Sequence, residues 1–295
     1  MFRRAKLKLR LPSRTLALGE RTLIMGILNV TPDSFSDGGN FLDVNAAVAW
    51  ASKLERAGAD ILDLGGESTR PGSEPVPAEE EMRRVIPVLD ALRGRLKIPI
   101  SIDTMKPEVA EAAAAAGAEI LNDVSGLRAG PAMAEIARRR RLPLILMHMR
   151  GEPRTMQKEP FARDVLRDVT SGLRTALGIA RRAGVPKSRI VLDPGIGFGK
   201  SRPQNFELLA RLPELARLGC PVLVGASRKK FVGDILGGLA PGERVWGTAA
   251  TVAASILGGA HIVRVHDVAE MAQVARVIDA ILTPRLVAEA AARGE

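Results

Sequence analysis

Ala57-Gly58-Ala59-Asp60-Ile61-Leu62 carries a helix into a strand within six residues. Glycine closes the helical stretch, because it enters the left-handed region at no steric cost, and the apolar run begins after two more residues. The same device returns as Ala116-Gly117-Ala118-Glu119-Ile120-Leu121 and as Gly258-Gly259-Ala260-His261-Ile262-Val263. A repeated junction implies a repeated unit. Outward from these copies, apolar runs at 22–29, 61–65, 99–103, 120–123, 143–148, 190–193, 221–225 and 262–266 read as strands. Amphipathic stretches at 44–57, 78–95, 107–117, 132–141, 162–183, 204–218, 244–258 and 268–287 read as helices. Eight strand–helix units predict an α/β chain folded as a single (β/α)8 TIM barrel over residues 22–287. Nearly continuous apolar strands suit a parallel sheet covered by helices. A doubly wound open sheet is the alternative, weakened by the lack of a glycine-rich dinucleotide fingerprint after the first strand. Residues 1–21 alternate with period two around Pro12-Ser13, which predicts an N-terminal β-hairpin capping one end, and 288–295 read as a tail.

Composition narrows the class. A hydrophobic share of 46% over 295 residues is ample for one large core. The single cysteine, Cys220, forms no internal disulfide and suits a reducing compartment. No apolar run reaches membrane-spanning length and no signal-peptide hydrophobic region follows the first basic residues, so the expected location is cytoplasmic. A net charge of +10 raises the question of nucleic acid. Much of it sits in Arg3, Arg4, Lys6, Lys8, Arg10, Arg14 and Arg21, opposed only by Glu20, and Arg138–Arg141 ends a helix. Aromatics make up 3% with no tyrosine, too few for base stacking. Neither nucleic acid nor membrane is expected as a partner, and the positive excess suits anionic substrates.

Barrel enzymes collect function at the C-terminal strand ends. Here those ends read Asn29; Asp63 with Glu67 to Gly72; Asp103-Thr104; Asn122-Asp123; Met147-His148-Met149; Asp193; Ser227-Arg228-Lys229; and Arg264 with His266-Asp267. All eight can hydrogen-bond or carry charge. After Asn29 the chain turns polar, bends at Pro32 and ends on Gly38-Gly39, the composition of a mobile loop that sets oxygen ligands at a mouth. A decorated surface turn is the plainer alternative. Asp103, Asp193 and Asn122 suit a flat heterocycle rich in N–H donors, since a wrong ligand would leave them unpaired. The alternative is a salt bridge inside the barrel, Asp193 to Lys229 for instance. The glycine-rich run Asp193 to Lys200 lacks Walker spacing, and its Phe198 can flank an aromatic ring. Arg264 and His266 share a strand face and suit a phosphate or diphosphate, although a strand-end histidine is often plain structure. His148 and His261 read as structural. Asn29 with substrate phosphates would suit a Mg2+ that keeps several waters.

These residues lie in long motifs: LNVTPDSFSDGG, GGESTRPG, SIDT, NDVSG, LMHMRG, DPGIGFGK, GASRKKF and RVHDV. They resemble the dihydropteroate synthases over about residues 22–270. The resemblance implies a transferase of folate biosynthesis, the sulfonamide target. It would condense 6-hydroxymethyl-7,8-dihydropterin diphosphate with 4-aminobenzoate, releasing diphosphate and 7,8-dihydropteroate. It implies that Asn29 contacts Mg2+, that Thr69, Asp103, Asn122, Asp193 and Lys229 bind the pterin, and that Arg264 and His266 take the diphosphate. Met147 and Phe198 would line the ring pocket, with Arg70 and Ser227 near the aminobenzoate. It also implies a homodimer. Three rivals remain open at this level: an aldolase-type barrel with Lys229 as Schiff base, a corrinoid-linked pterin methyltransferase, and a homologue without turnover.

Overall fold

Period two sorts each barrel strand into an inward and an outward set of side chains. A computed structural model of the chain describes residues 4–31, 43–68, 72–152, 154–156 and 161–284. Its barrel strands are β3 (Leu23–Asn29), β4 (Ile61–Gly65), β5 (Ile100–Asp103), β6 (Ile120–Asp123), β7 (Leu144–Met147), β8 (Ile190–Asp193), β9 (Leu223–Val224) and β10 (Ile262–Val265). They pair in parallel in the order β8-β7-β6-β5-β4-β3-β10-β9. A bridge from Leu192 to Val222, with Leu192 N–H donating to Pro221 O at 2.9 Å, closes the ring. Outward residues such as Leu62, Ile102, Leu121, Leu146, Leu192 and Val263 join the core beneath the helices. Inward, Met25, Ile61, Ile120, Ile145, Val191, Leu223 and Ile262 fill the lower barrel. Two residues further along, the inward position becomes Asp63, Asn122, Met147, Asp193 and Arg264 on their respective strands, with Asp103 beside them on β5. The apolar filling gives way to a polar layer.

The helices are α1 (Val44–Arg56), α2 (Ala78–Leu92), α3 (Pro107–Ala116), α4 (Ala132–Arg140), α5 (Val165–Arg182), α6 (Arg202–Ala210), α7 (Lys230–Ile235), α8 (Val245–Leu257) and α9 (Val268–Leu282). The expected helix 204–218 divides: α6 ends at Ala210 and a 3-10 turn, Leu212–Leu218, follows where Pro213 cannot continue the ladder. The expected strand 221–225 shortens to two residues, because Pro221 has no N–H to donate. The short α7 after Lys229 was not foreseen; six residues give too little periodicity to read. The expected end of the last helix beyond 284 and the tail 288–295 lie outside the described residues.

The hairpin β1 (Leu7–Arg10) and β2 (Thr15–Leu18) forms its own antiparallel pair, as the alternation predicts. Its Leu9, Leu11 and Leu18 plug the lower barrel. The basic segment around it seals the same end. Arg4 is buried and donates to Thr22 Oγ1, Ala260 O and Asp279 Oδ1 at 2.6, 3.0 and 2.5 Å. Arg21 forks onto Asp60 at 2.6 and 2.8 Å.

Candidate active site

Asp63 is fully buried and ties three strands together through one oxygen. Its Oδ2 accepts from Asn122 Nδ2 at 3.0 Å and from Arg264 Nε at 2.6 Å. Arg264 Nη2 donates in turn to Asp103 Oδ2 at 2.7 Å. The ends of β4, β5, β6 and β10 thus meet in one network. Oδ1 of Asp63 and Oδ1 of Asp103 are buried without a hydrogen-bond partner among the described residues. Such acceptors cost free energy unless a donor reaches them, so the network is built to receive one. Burial pushes the Asp103 carboxyl above its usual range, with Arg264 opposing and Asp63 reinforcing the rise. Burial also disfavours the Arg264 charge, but Asp63 and Asp103 outweigh it and hold that guanidinium above its ordinary value.

On the far wall, burial raises Asp193 to about 6, against the Gly195 N–H that donates to its Oδ1 at 2.7 Å. Lys229 Nζ stands 3.8 Å from the centroid of the Phe198 ring, and its charge acts on both Asp103 and Asp193. Phe198 belongs to a methionine-rich group with Met147, Met149, Met156 and Val124. Asp103 pairs in register with Asn122, and Met147 with Asp193, so neighbouring strands bring these groups to one level.

His266 and Ser227 face each other, with Oγ 3.0 Å from Nδ1, while the His266 backbone N–H donates to the same Oγ at 3.2 Å. The hydroxyl, with one proton and two lone pairs, can donate to Nδ1 or accept from it, so this contact suits either imidazole tautomer. Burial, then Arg264 and Arg228, lower His266 to about 3, so it is neutral here. Arg264, expected on a diphosphate, gives Nε and Nη2 to carboxylates. Asn29 ends β3 half-buried beside Gly65, where a Cβ would stand 3.6 Å from its Oδ1. Among the described residues no group of three His, Cys, Asp or Glu could hold a metal. One half-buried amide oxygen fits a hard cation that takes its other oxygens from water and phosphate, not a metal caged by protein.

Of the expected site residues, Asp103, Asn122, Met147, Asp193, Phe198, Ser227, Lys229, Arg264 and His266 share this end with Asn29. Thr69 and Arg70 lie outside the described residues, as does the loop 32–42. The base of the Thr69 loop is framed by Glu67, whose Oε1 accepts from Val76 N–H at 2.9 Å and whose Oε2 holds Lys106 Nζ at 2.7 Å. Two residues escaped the sequence reading as site members. Asp63 stood at a strand end like the others, and that position was the available signal. Lys200 closes the glycine-rich run, where only the tertiary contacts give it a role. A cavity of about 640 Å³ opens among the loops that follow β4, β5, β6 and β7, lined by Glu67, Met105, Ser125, Arg128 and Glu152 among others. A second, of about 450 Å³, lies at the opposite end among Arg14, Arg21, Asp60 and Lys97, away from every strand-end group.

Comparison with known proteins bears on the family and the fold. The family described as pterin binding enzyme matches residues 25–266. A dihydropteroate synthase of Synechocystis is 51% identical over 263 residues, covering 89% of this chain and 91% of that protein. The dihydropteroate synthase of Xanthomonas albilineans, solved with 4-aminobenzoic acid, is 46% identical with a TM-score of 0.87, covering 94% and 99% of the two chains. That of Yersinia pestis, solved with a sulfonamide drug, is 41% identical with a TM-score of 0.88, covering 94% of this chain and 100% of the other. With identity of this order over nearly the full length of both partners, the chain belongs to the dihydropteroate synthase family.

Proposed function

We propose that the network at the barrel mouth performs the family's reaction, the condensation of 6-hydroxymethyl-7,8-dihydropterin diphosphate with 4-aminobenzoate, without a protein nucleophile. The observation that carries this reading is the pair of buried, unpartnered carboxylate oxygens on Asp63 and Asp103, facing the same layer as Asn122 and Asp193. Asp103 and Asp193 accept N–H donors of the pterin, and Asn122 orients it. Met147 and Phe198 bound the ring, and Lys229 sets a positive charge beside it. Thr69 contributes from the adjoining loop. His266, as a neutral imidazole, and Arg264 stabilise the diphosphate as the C–O bond breaks with its electron pair. The amine of 4-aminobenzoate, placed by Arg70 and Ser227, forms the new C–N bond and loses its proton. Mg2+, bound by Asn29 and the diphosphate, would supply positive charge to the leaving group. The residues contribute positioning and electrostatics rather than covalent chemistry.

A homodimer is part of the same reading. Ile235, Leu236 and Trp246 are exposed apolar residues on α7, just beyond it and on α8, and Leu236 packs beside Gly247. Action in the cytoplasm, expected from the sequence, belongs to the same reading; among the described residues no helix is long and apolar enough to cross a membrane. The test is a coupled diphosphate-release assay with both substrates across a Mg2+ titration. Asn29→Ala is expected to need at least about tenfold more Mg2+ for half-maximal rate. An unchanged Mg2+ requirement would remove Asn29 from the metal site.

A further inference from the structure

The ammonium of Lys200 is buried, and its nearest partners are backbone carbonyls. Nζ lies 2.8 Å from Gly195 O, 3.0 Å from Phe198 O, 3.2 Å from His148 O and 3.1 Å from His148 Nδ1. Among the described residues no carboxylate lies within ion-pair distance of it; burial lowers the Lys200 amine to about 7, with Asp193 and Asp168 opposing at longer range. A buried cation solvated by carbonyl dipoles costs free energy that a methionine of similar length would not. Something local must depend on it.

The partners show what. Gly195, Gly197 and Gly199 adopt φ of +66°, +85° and +64°, so the run 194–199 folds flat against the neighbouring loop. A Cβ on Gly195 would stand 1.9 Å from His148 O, and one on Gly199 2.1 Å from Arg150 O. The run has little secondary structure to hold this shape. Asn205 of α6 grips it from one side, accepting from Gly197 N–H at 2.6 Å and donating to Ser201 O at 2.9 Å. Lys200 grips it from within. The residues it pins are the ones that build the pocket wall: Gly195 donates its N–H to Asp193, and Phe198 carries the ring beneath Lys229. By holding His148 O as well, the same ammonium joins the loop after β7 to the loop after β8. His148, which also donates its backbone N–H to Asp193 O at 2.9 Å, completes the tie.

We propose that Lys200 is a positioning residue for the pterin subsite: its ammonium fixes the glycine run and so aims Asp193 and Phe198 at the heterocycle. This role rests on the function proposed above. Lys200→Met is expected to raise the KM for pterin diphosphate about tenfold or more, and to speed amide exchange over 195–199 while exchange in the barrel helices stays as in the wild type. Lys200→Gln keeps a shorter donor and should show both effects at smaller size. In the wild type, amide exchange over 195–199 should be slow before any ligand is added, as a pinned loop requires. Unchanged pterin KM in a folded variant, unchanged exchange over 195–199 in that variant, or fast exchange in wild-type 195–199 each overturns the role. Wild-type protein without turnover overturns the functional reading itself, and is distinguished by the same assay.

Discussion

Asp63 is fully buried and, among the described residues, accepts two hydrogen bonds on one oxygen and none on the other. Removing its charge leaves Arg264 with Asp103 alone and loosens Asn122. Asp63→Asn is therefore expected to lower unfolding free energy by about 3 kcal/mol, the scale for removing one partner of a buried pair, measured by denaturant titration. It should also weaken pterin binding. Asp193 gives a pH signature. Its folded carboxyl holds a proton up to about 6, whereas the unfolded chain releases it near the ordinary carboxylate value of about 4. Between those values the folded state binds more protons than the unfolded one, so stability falls as pH rises through the window. A shift of roughly two units corresponds to about 3 kcal/mol. Asp193→Asn cannot titrate, so thermal melts of the ligand-free variant should be flatter between pH about 4 and about 6. An equally steep wild-type and variant profile would assign the slope to another group.

At the scale of elements, the junction read in the sequence is a hydrogen-bonded cap repeated in register. Gly58, Gly117 and Gly259 take φ of +105°, +112° and +97°. The next residue, Ala59, Ala118 or Ala260, donates back to Leu54 O, Ala113 O or Ser255 O, the Schellman pattern. Asp60, Glu119 and His261 then donate their backbone N–H groups to Ile24 O, Ile100 O and Val222 O on the neighbouring strand. This much was legible because glycine, a following alanine and an apolar run are local signals. Glycines of similar backbone differ in what surrounds them. No atom lies within 4 Å of a Cβ built on Gly117, so Gly117→Ala meets only backbone strain. It should cost about 1 kcal/mol in unfolding measurements and leave kcat unchanged. Gly195→Ala meets His148 O and should abolish pterin binding, read by calorimetry. Sequence composition marks both glycines alike; only the contacts separate them.

For the whole molecule, the basic N-terminal segment closes the barrel floor. The fourth residue of each cap meets it: Asp60 holds Arg21, Glu119 accepts from Ser13 N–H at 3.1 Å, and His261 Nε2 donates to Ala5 O at 3.1 Å. The charge excess that raises the question of nucleic acid is thus partly spent on intramolecular pairs. Leu18, fully buried in the plug, should cost about 3 kcal/mol when changed to alanine, lowering Tm while the folded enzyme keeps its KM values. A lowered kcat/KM at full folding would instead couple the floor to the mouth. The sequence by itself determined the eight repeated units, the hairpin and the strand-end residues, because period, caps and turns act within a few neighbours. It could not decide which strand-end groups bond one another, that Arg264 lies between two carboxylates, or that Lys200 points inward to a set of carbonyls that includes His148 O, 52 residues earlier in the chain. Those depend on ring closure, which brings distant strand ends into one low-dielectric layer where each polar atom must find a partner.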